Sequence, residues 1–137
     1  MAVDRNGCSR RVMVLLDTNA LMMPAQFRID LFGEISRLVG EFTPVVPVDV
    51  FNELKGLSKG CGRESSAARF GLTLAEQCIL IDHERPDQPV DEQIIDYARR
   101  ENCMVVTNDR ALRKALISLG IAVISLKKQK ILDIIRS

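Results

Sequence analysis

Tryptophan is absent from this 137-residue chain, tyrosine and histidine occur once each, and phenylalanine five times. So few rings leave no visible platform for stacking bases, so sequence-specific readout of a single nucleic-acid strand is not indicated. The lone histidine, His83, and four cysteines (Cys8, Cys61, Cys78 and Cys103) with no CxxC pair among them argue against a structural zinc site. Cys78 and Cys103 sit at the edges of apolar runs and read as small buried apolar residues, although sequence alone leaves a disulfide open. His83 reads as a solvent-facing residue at a strand end. Long apolar runs are missing too. Val12 to Leu16 and Val45 to Val48 fall far short of the ~20 residues that cross a bilayer, so no membrane association is expected. The N-terminus, MAVDRNGCSRR, carries arginines with no apolar core of signal-peptide length behind them, so a cytoplasmic location is expected. Charge of one sign is not in excess either: the formal net charge is +1, and any affinity for nucleic acid must come from where the charges sit.

What is present is enough apolar residue, 47%, to bury the core of one domain. Residues 1–11 are polar and unpatterned and read as a flexible extension, with a single domain over 12–137. Val12–Leu16 is an unbroken apolar run ending in Asp-Thr-Asn, which suits a strand buried on both faces. A helical stripe runs from Ile29 to Val39, and Gly40 stops it. Pro44 and Pro47 bracket a short second strand, after which Asp49 caps or opens a helix carrying Val50, Phe51, Leu54 and Leu57. The segment GLSKGCGRESS predicts a mobile loop before a helix from about Ala67 to Glu76. Strands follow at 78–81, 104–106 and 121–125, with helices over Val90–Arg100 and about Asp109–Leu119. The tail KKQKILDIIRS fits a strand or a short helix. Strands alternating with helices imply an α/β fold, a three-layer α/β/α sandwich around a parallel sheet of about five strands.

In an open parallel sheet, ligands bind beyond the carboxyl ends of the strands. Asp17 directly follows the first strand and Asp109 follows the strand at 104–106, while Asp91 and Glu53 lie near the starts of their helices. Four carboxylates gathered there repel one another, and a bound cation relieves the repulsion. Oxygen ligands without His or Cys point to a hard ion, Mg²⁺ or Mn²⁺, and such ions activate water against a phosphodiester without a catalytic histidine. Taken singly, Asp91 and Asp109 are ordinary residues for a helix N-terminus and Glu53 an ordinary solvated helix residue. Asp17 has the poorest structural alternative, because a carboxylate closing a buried strand needs a partner or a metal. Asp91 ranks next, followed by Glu53 and Asp109.

The segments LLDTNAL (15–21), FNELKGL (51–57), VDEQIIDYA (90–98) and VVTNDRALRKAL (105–116) resemble, in order and spacing, the four acidic motifs of PIN-domain nucleases. The resemblance covers about residues 12–126 and implies a Rossmann-like PIN fold, Mg²⁺ or Mn²⁺ dependence and endonucleolytic hydrolysis of single-stranded RNA. Carried over motif by motif, it makes Asp17, Glu53, Asp91 and Asp109 the metal-binding catalytic carboxylates, with Thr18, Asn19, Thr107 and Asn108 in support. Where the family often has a further Asp near the fourth motif, Arg110, Ala111 and Leu112 follow Asp109, which weakens the case for a second metal. The run PVVPVDVFNELKGL with its Gly/Ser loop and AARFGL helix resembles the PIN nucleases of ribosomal-RNA processing and their archaeal relatives more than the VapC toxins. The implied partners are RNA, a second copy in a homodimer, and a ribosome-assembly factor or an antitoxin.

Arg63, Arg69, Arg110 and Arg113 are the candidate contacts to RNA phosphates; Lys114, Lys127, Lys128 and Lys130 add positive charge, and Arg99 and Arg100 read as solvated helix residues. A different class remains in view. A receiver-type phosphoacceptor would use Asp82 at a strand end and Lys127 after strand five, but it needs an acidic pair after strand one and leaves Glu53, Asp91 and Asp109 unexplained. A third reading is an RNA-binding module that does not cleave.

Overall fold

The computed structural model describes residues 11–82 and 87–136. The extension expected over residues 1–11 lies, apart from Arg11, outside the described residues, as does His83. Strands β1 (Val12–Leu16), β2 (Phe42–Pro47), β3 (Ile79–Ile81), β4 (Met104–Val106), β5 (Val123–Lys127) and β6 (Ile131–Ile135) form one sheet in the order β3-β2-β1-β4-β5-β6. All neighbours pair in parallel except β5 and β6, which are antiparallel. The parallel sheet of about five strands therefore gains a sixth, antiparallel strand, and the tail settles as that strand. Its alternation of exposed Ile131, buried Leu132 and exposed Asp133 fits an edge with one wet face.

The helices are α1 (Thr18–Phe27), α2 (Leu31–Val39), α3 (Val48–Leu57), α4 (Arg63–Ala75), α5 (Val90–Glu101) and α6 (Arg110–Ser118). Successive side chains of β1 point to opposite faces. Val14 and Leu16 pack into a core with Leu21, Ile35, Val50, Leu54 and Ala68 from α1–α4. Leu15 packs into a second core with Ile94, Ala98, Leu112 and Leu116 from α5 and α6. These two cores make the three-layer α/β/α sandwich, and they explain the unbroken apolar sequence of the central strand.

Three expectations need correction. Helix α1 occupies 18–27, a segment to which the sequence pattern assigned no element: its residues Ala20 to Pro24 are all buried, so there is no polar face to mark a helical period, and Pro24 lies inside it. Helix α4 begins at Arg63 rather than about Ala67, so the irregular stretch shrinks to residues 58–62. Strand β2 spans six residues, and Asp49 lies in the first turn of α3 while Pro47 occupies its N-cap position. Among the described residues no helix is long and apolar enough to cross a membrane.

Candidate active site

After β1 the chain winds outward through β2 and β3, then returns to β4 on the other side of β1, so the winding direction switches between β1 and β4. A crevice opens there beyond the carboxyl ends of the strands. Asp17 ends β1 in an extended conformation (φ −90°, ψ 179°) and caps α1, accepting from the Ala20 amide at 2.7 Å. Its other oxygen accepts from the Thr107 hydroxyl at 2.5 Å. Thr107 is fully buried, just past β4, and its oxygen also accepts the Asp109 amide at 3.1 Å, so one hydroxyl ties the first acid to the fourth. Asp109 caps α6 through Leu112 N–H at 2.9 Å. Thr18 donates to Glu53 at 2.5 Å and so fixes α1 against α3.

The cleft encloses about 490 Å³, and its lining includes six carboxylates: Asp17, Asp49, Glu53, Glu64, Asp91 and Asp109. Thr18 and Asn19 line it as well, and no lysine or arginine does. Asp17 is 6% exposed. Burial pushes its carboxyl up from the ordinary value near 3.8 to about 6, against the pull of the Thr107 and Ala20 hydrogen bonds; Asp109 and Asp91 add repulsion. Burial also raises Asp91, helped by Asp109 and Glu53. The four predicted acids thus line one cleft, where Asp17 and Asp91 feel the negative charge of their neighbours. Among the described residues, no three His, Cys, Asp or Glu side chains close around a single point. The acids instead surround a roomy cleft, which suits an ion that keeps several of its waters.

Asp49 and Glu64 are additions that sequence reasoning missed. Asp49 lies one helical turn before Glu53, on the same face, which was the available signal. Its carboxylate accepts from Nε2 of the buried Gln93 at 2.8 Å, bridging α3 and α5. Glu64 was hidden because its segment reads as loop.

Other predicted residues lie outside the cleft lining. Asn108 turns to β5, accepting from the Leu126 amide at 2.9 Å and the Ser125 hydroxyl at 3.0 Å. Arg69 donates to the carbonyls of Ser58 and Gly60 and to the Ser66 hydroxyl, pinning the loop before α4. Arg63 is exposed at the start of α4. Arg110 and Arg113 line a separate cavity on α6. Cys61, Cys78 and Cys103 are free thiols, and burial pushes Cys78 up to about 11 and Cys103 up to about 12. Asp82 follows edge strand β3 away from the cleft, and Lys127 pairs with Asp133 at 3.6 Å, so the receiver arrangement is not formed.

The fold and site thus define a doubly wound α/β domain with an acidic, cation-seeking crevice at its switch point. A family model described as "PIN like domain" matches residues 14–129. The chain is 30% identical to Ribonuclease VapC9 of Archaeoglobus fulgidus over 131 residues, covering 95% of this chain and 94% of that protein. It is 29% identical to Ribonuclease VapC4 of Methanocaldococcus jannaschii over 126 residues, with 88% and 95% covered. Among solved structures, the PIN domain endonuclease Utp24 superimposes with a TM-score of 0.74 at 23% identity, covering 91% of this chain and 92% of that one. VapBC2 from Rickettsia felis, solved bound to a DNA fragment from its promoter, gives a TM-score of 0.61 at 17% identity, with 85% and 100% covered. This chain belongs to the PIN-like domain family.

Proposed function

We propose that the protein is a Mg²⁺- or Mn²⁺-dependent endoribonuclease of the VapC kind. The observation that carries the proposal is the cleft itself: six carboxylates and no lysine or arginine in its lining at the switch point of the sheet. Its donor set is all oxygen and its charge is uncompensated, which fits a hard divalent ion. Asp17, Glu53, Asp91 and Asp109 are the residues to hold it, with Thr107 and Thr18 fixing the first two of them. When bound, such an ion supplies an activated water and neutralises charge on a phosphodiester. The contribution of the chain is to fix the carboxylates and keep Asp17 shielded from water.

Two relatives that align over nearly their whole length are both named ribonucleases VapC, which favours this reading over ribosomal-RNA processing. The likeness to Utp24, at 23% identity, speaks for the fold. A protein partner of antitoxin type belongs to the same reading, and a short open reading frame beside the gene is its expected mark. The test is incubation of labelled single-stranded RNA with the wild-type chain and with Asp17→Asn, in Mn²⁺ or in chelator. Wild type cleaves, chelator abolishes cleavage, and the variant loses at least ~10–100-fold. Equal cleavage by both proteins, or indifference to chelator, sinks the proposal.

A further inference from the structure

We infer that α6 carries a phosphate track that holds the RNA strand next to the acidic cleft, an inference that rests on the ribonuclease reading. Arg110, Arg113, Lys114 and Ile117 follow the i, i+3, i+4, i+7 spacing of one helix face and, with Ala111, line a cavity of about 440 Å³. No acidic side chain lines it. The opposite face of α6 buries Leu112 and Leu116, which fixes the helix on the sheet and commits the cationic face to solvent. Arg110 is the next residue after Asp109, so the positive cavity starts where the acidic cleft ends. A strand with its scissile phosphate in the cleft therefore meets this face with a neighbouring phosphate.

What sets the α6 cations apart is that three of them share one face and one cavity with no acidic side chain among its lining. The ion pairs among the described residues join Arg11 to Glu41, Arg37 to Glu34, Arg100 to Glu101 and Lys127 to Asp133, and none involves α6. Arg69 is bound to its loop, Lys55 lies over Phe51 and Arg100 over Tyr97. Within α6, Arg113 donates to the Ser125 hydroxyl at 2.9 Å, which orients its guanidinium and leaves Arg110 and Lys114 as the two free heads. These lie one helical turn apart, about 6 Å, comparable with the step between successive phosphates of a strand. A protein without a base-stacking platform has to hold a strand by its backbone, and that mode of binding is salt-dependent and indifferent to sequence. This favours RNA over an acidic peptide as the occupant.

Each phosphate contact on a single strand contributes a slope of about −0.7 to log K against log [salt]. The experiment measures binding of a mixed-sequence single-stranded RNA from low to moderate salt in Mg²⁺, in an Asp17→Asn background that suppresses cleavage. Arg110→Ala and Lys114→Ala each make the slope shallower by about 0.7, while Arg99→Ala, which removes the same charge from the exposed face of α5, leaves it unchanged. Slopes that stay the same in the α6 variants, slopes that fall equally in Arg99→Ala, or no measurable RNA binding overturn the phosphate track. Cleavage by the wild-type chain in Mn²⁺ is assayed beside them. If RNA is cleaved while the α6 variants keep the parental slope, the track fails and the nuclease reading stands.

Discussion

Asp17 is a buried carboxylate that accepts one hydrogen bond on each oxygen, from Ala20 N–H and from Thr107, and so still has about half of its acceptor capacity. Those bonds favour the charged form, yet desolvation outweighs them and the group titrates at about 6. An acid whose folded value lies above its unfolded value stabilises the fold fully below the unfolded value and loses that contribution as pH rises through the folded one. The window here runs from 3.8 to about 6, and the contribution lost across it is about 3 kcal/mol. Asn keeps the cap on α1, since Asn and Asp cap equally well, and its amide can donate to the Thr107 oxygen. Thermal melts in chelator are therefore expected to show Asp17→Asn more stable than wild type at pH 7 and to lose that advantage by pH 4. A difference that does not change with pH refutes the assignment. The same residue was the most legible of the acids in sequence, because it ends a strand with no polar position before it. Asp49 was read as a helix opener and its cleft-facing role missed, since only the packing of α3 against α5 brings Gln93 to its carboxylate.

At the scale of elements, the strands and the amphipathic helices α2, α5 and α6 were visible through their periodicity, whereas α1 was not. Five consecutive buried residues, Ala20 to Pro24, leave no stripe, and the partner helix α4 begins only at Arg63, far along the sequence. The contact between them depends on Gly71. A Cβ at that position would lie 2.7 Å from the backbone oxygen of Leu21 and 3.3 Å from its Cβ, so α1 would have to move. Gly71→Ala gains up to about 1 kcal/mol in helix propensity but forces an overpacked contact that costs about 1–3 kcal/mol. Net destabilisation by denaturant melt is expected. Because α1 starts at Asp17 and Thr18 holds Glu53, the displacement also lowers activity in the metal-dependent cleavage assay. Gly56→Ala is the matched control: nothing lies within 4 Å of its added Cβ on α3, and it is expected to be neutral or stabilising by up to about 1 kcal/mol. If both variants behave alike, the close approach of α1 and α4 does not govern stability.

For the whole molecule, a net charge of +1 conceals a separation: a six-carboxylate cleft lies beside a helix face with three cations, and the sum over 19 basic and 18 acidic residues shows neither. Composition averages over this arrangement, and only the return of the chain from β3 to β4 creates it. Repulsion within the cleft makes the metal-free fold bear an electrostatic cost that a bound cation removes. An ion that binds the native state and not the unfolded chain stabilises by RT ln(1 + [L]/Kd), about 2.7 kcal/mol at a hundredfold excess over Kd. Protons compete for the same carboxylates, so the gain depends on pH. Above pH 6, where Asp17 is ionised, Mn²⁺ or Mg²⁺ is expected to raise the melting temperature by several degrees. Near pH 4 the carboxyl is protonated in the fold and the increment shrinks toward zero. Asp17→Asn reduces the increment at the higher pH, because one of the charges that holds the ion is gone. Na⁺ at matched ionic strength separates site binding from general screening, which acts on the whole surface at either pH. Equal increments at the two pH values, or an equal increment from Na⁺, would show that the acids act as scattered surface charge rather than as one site.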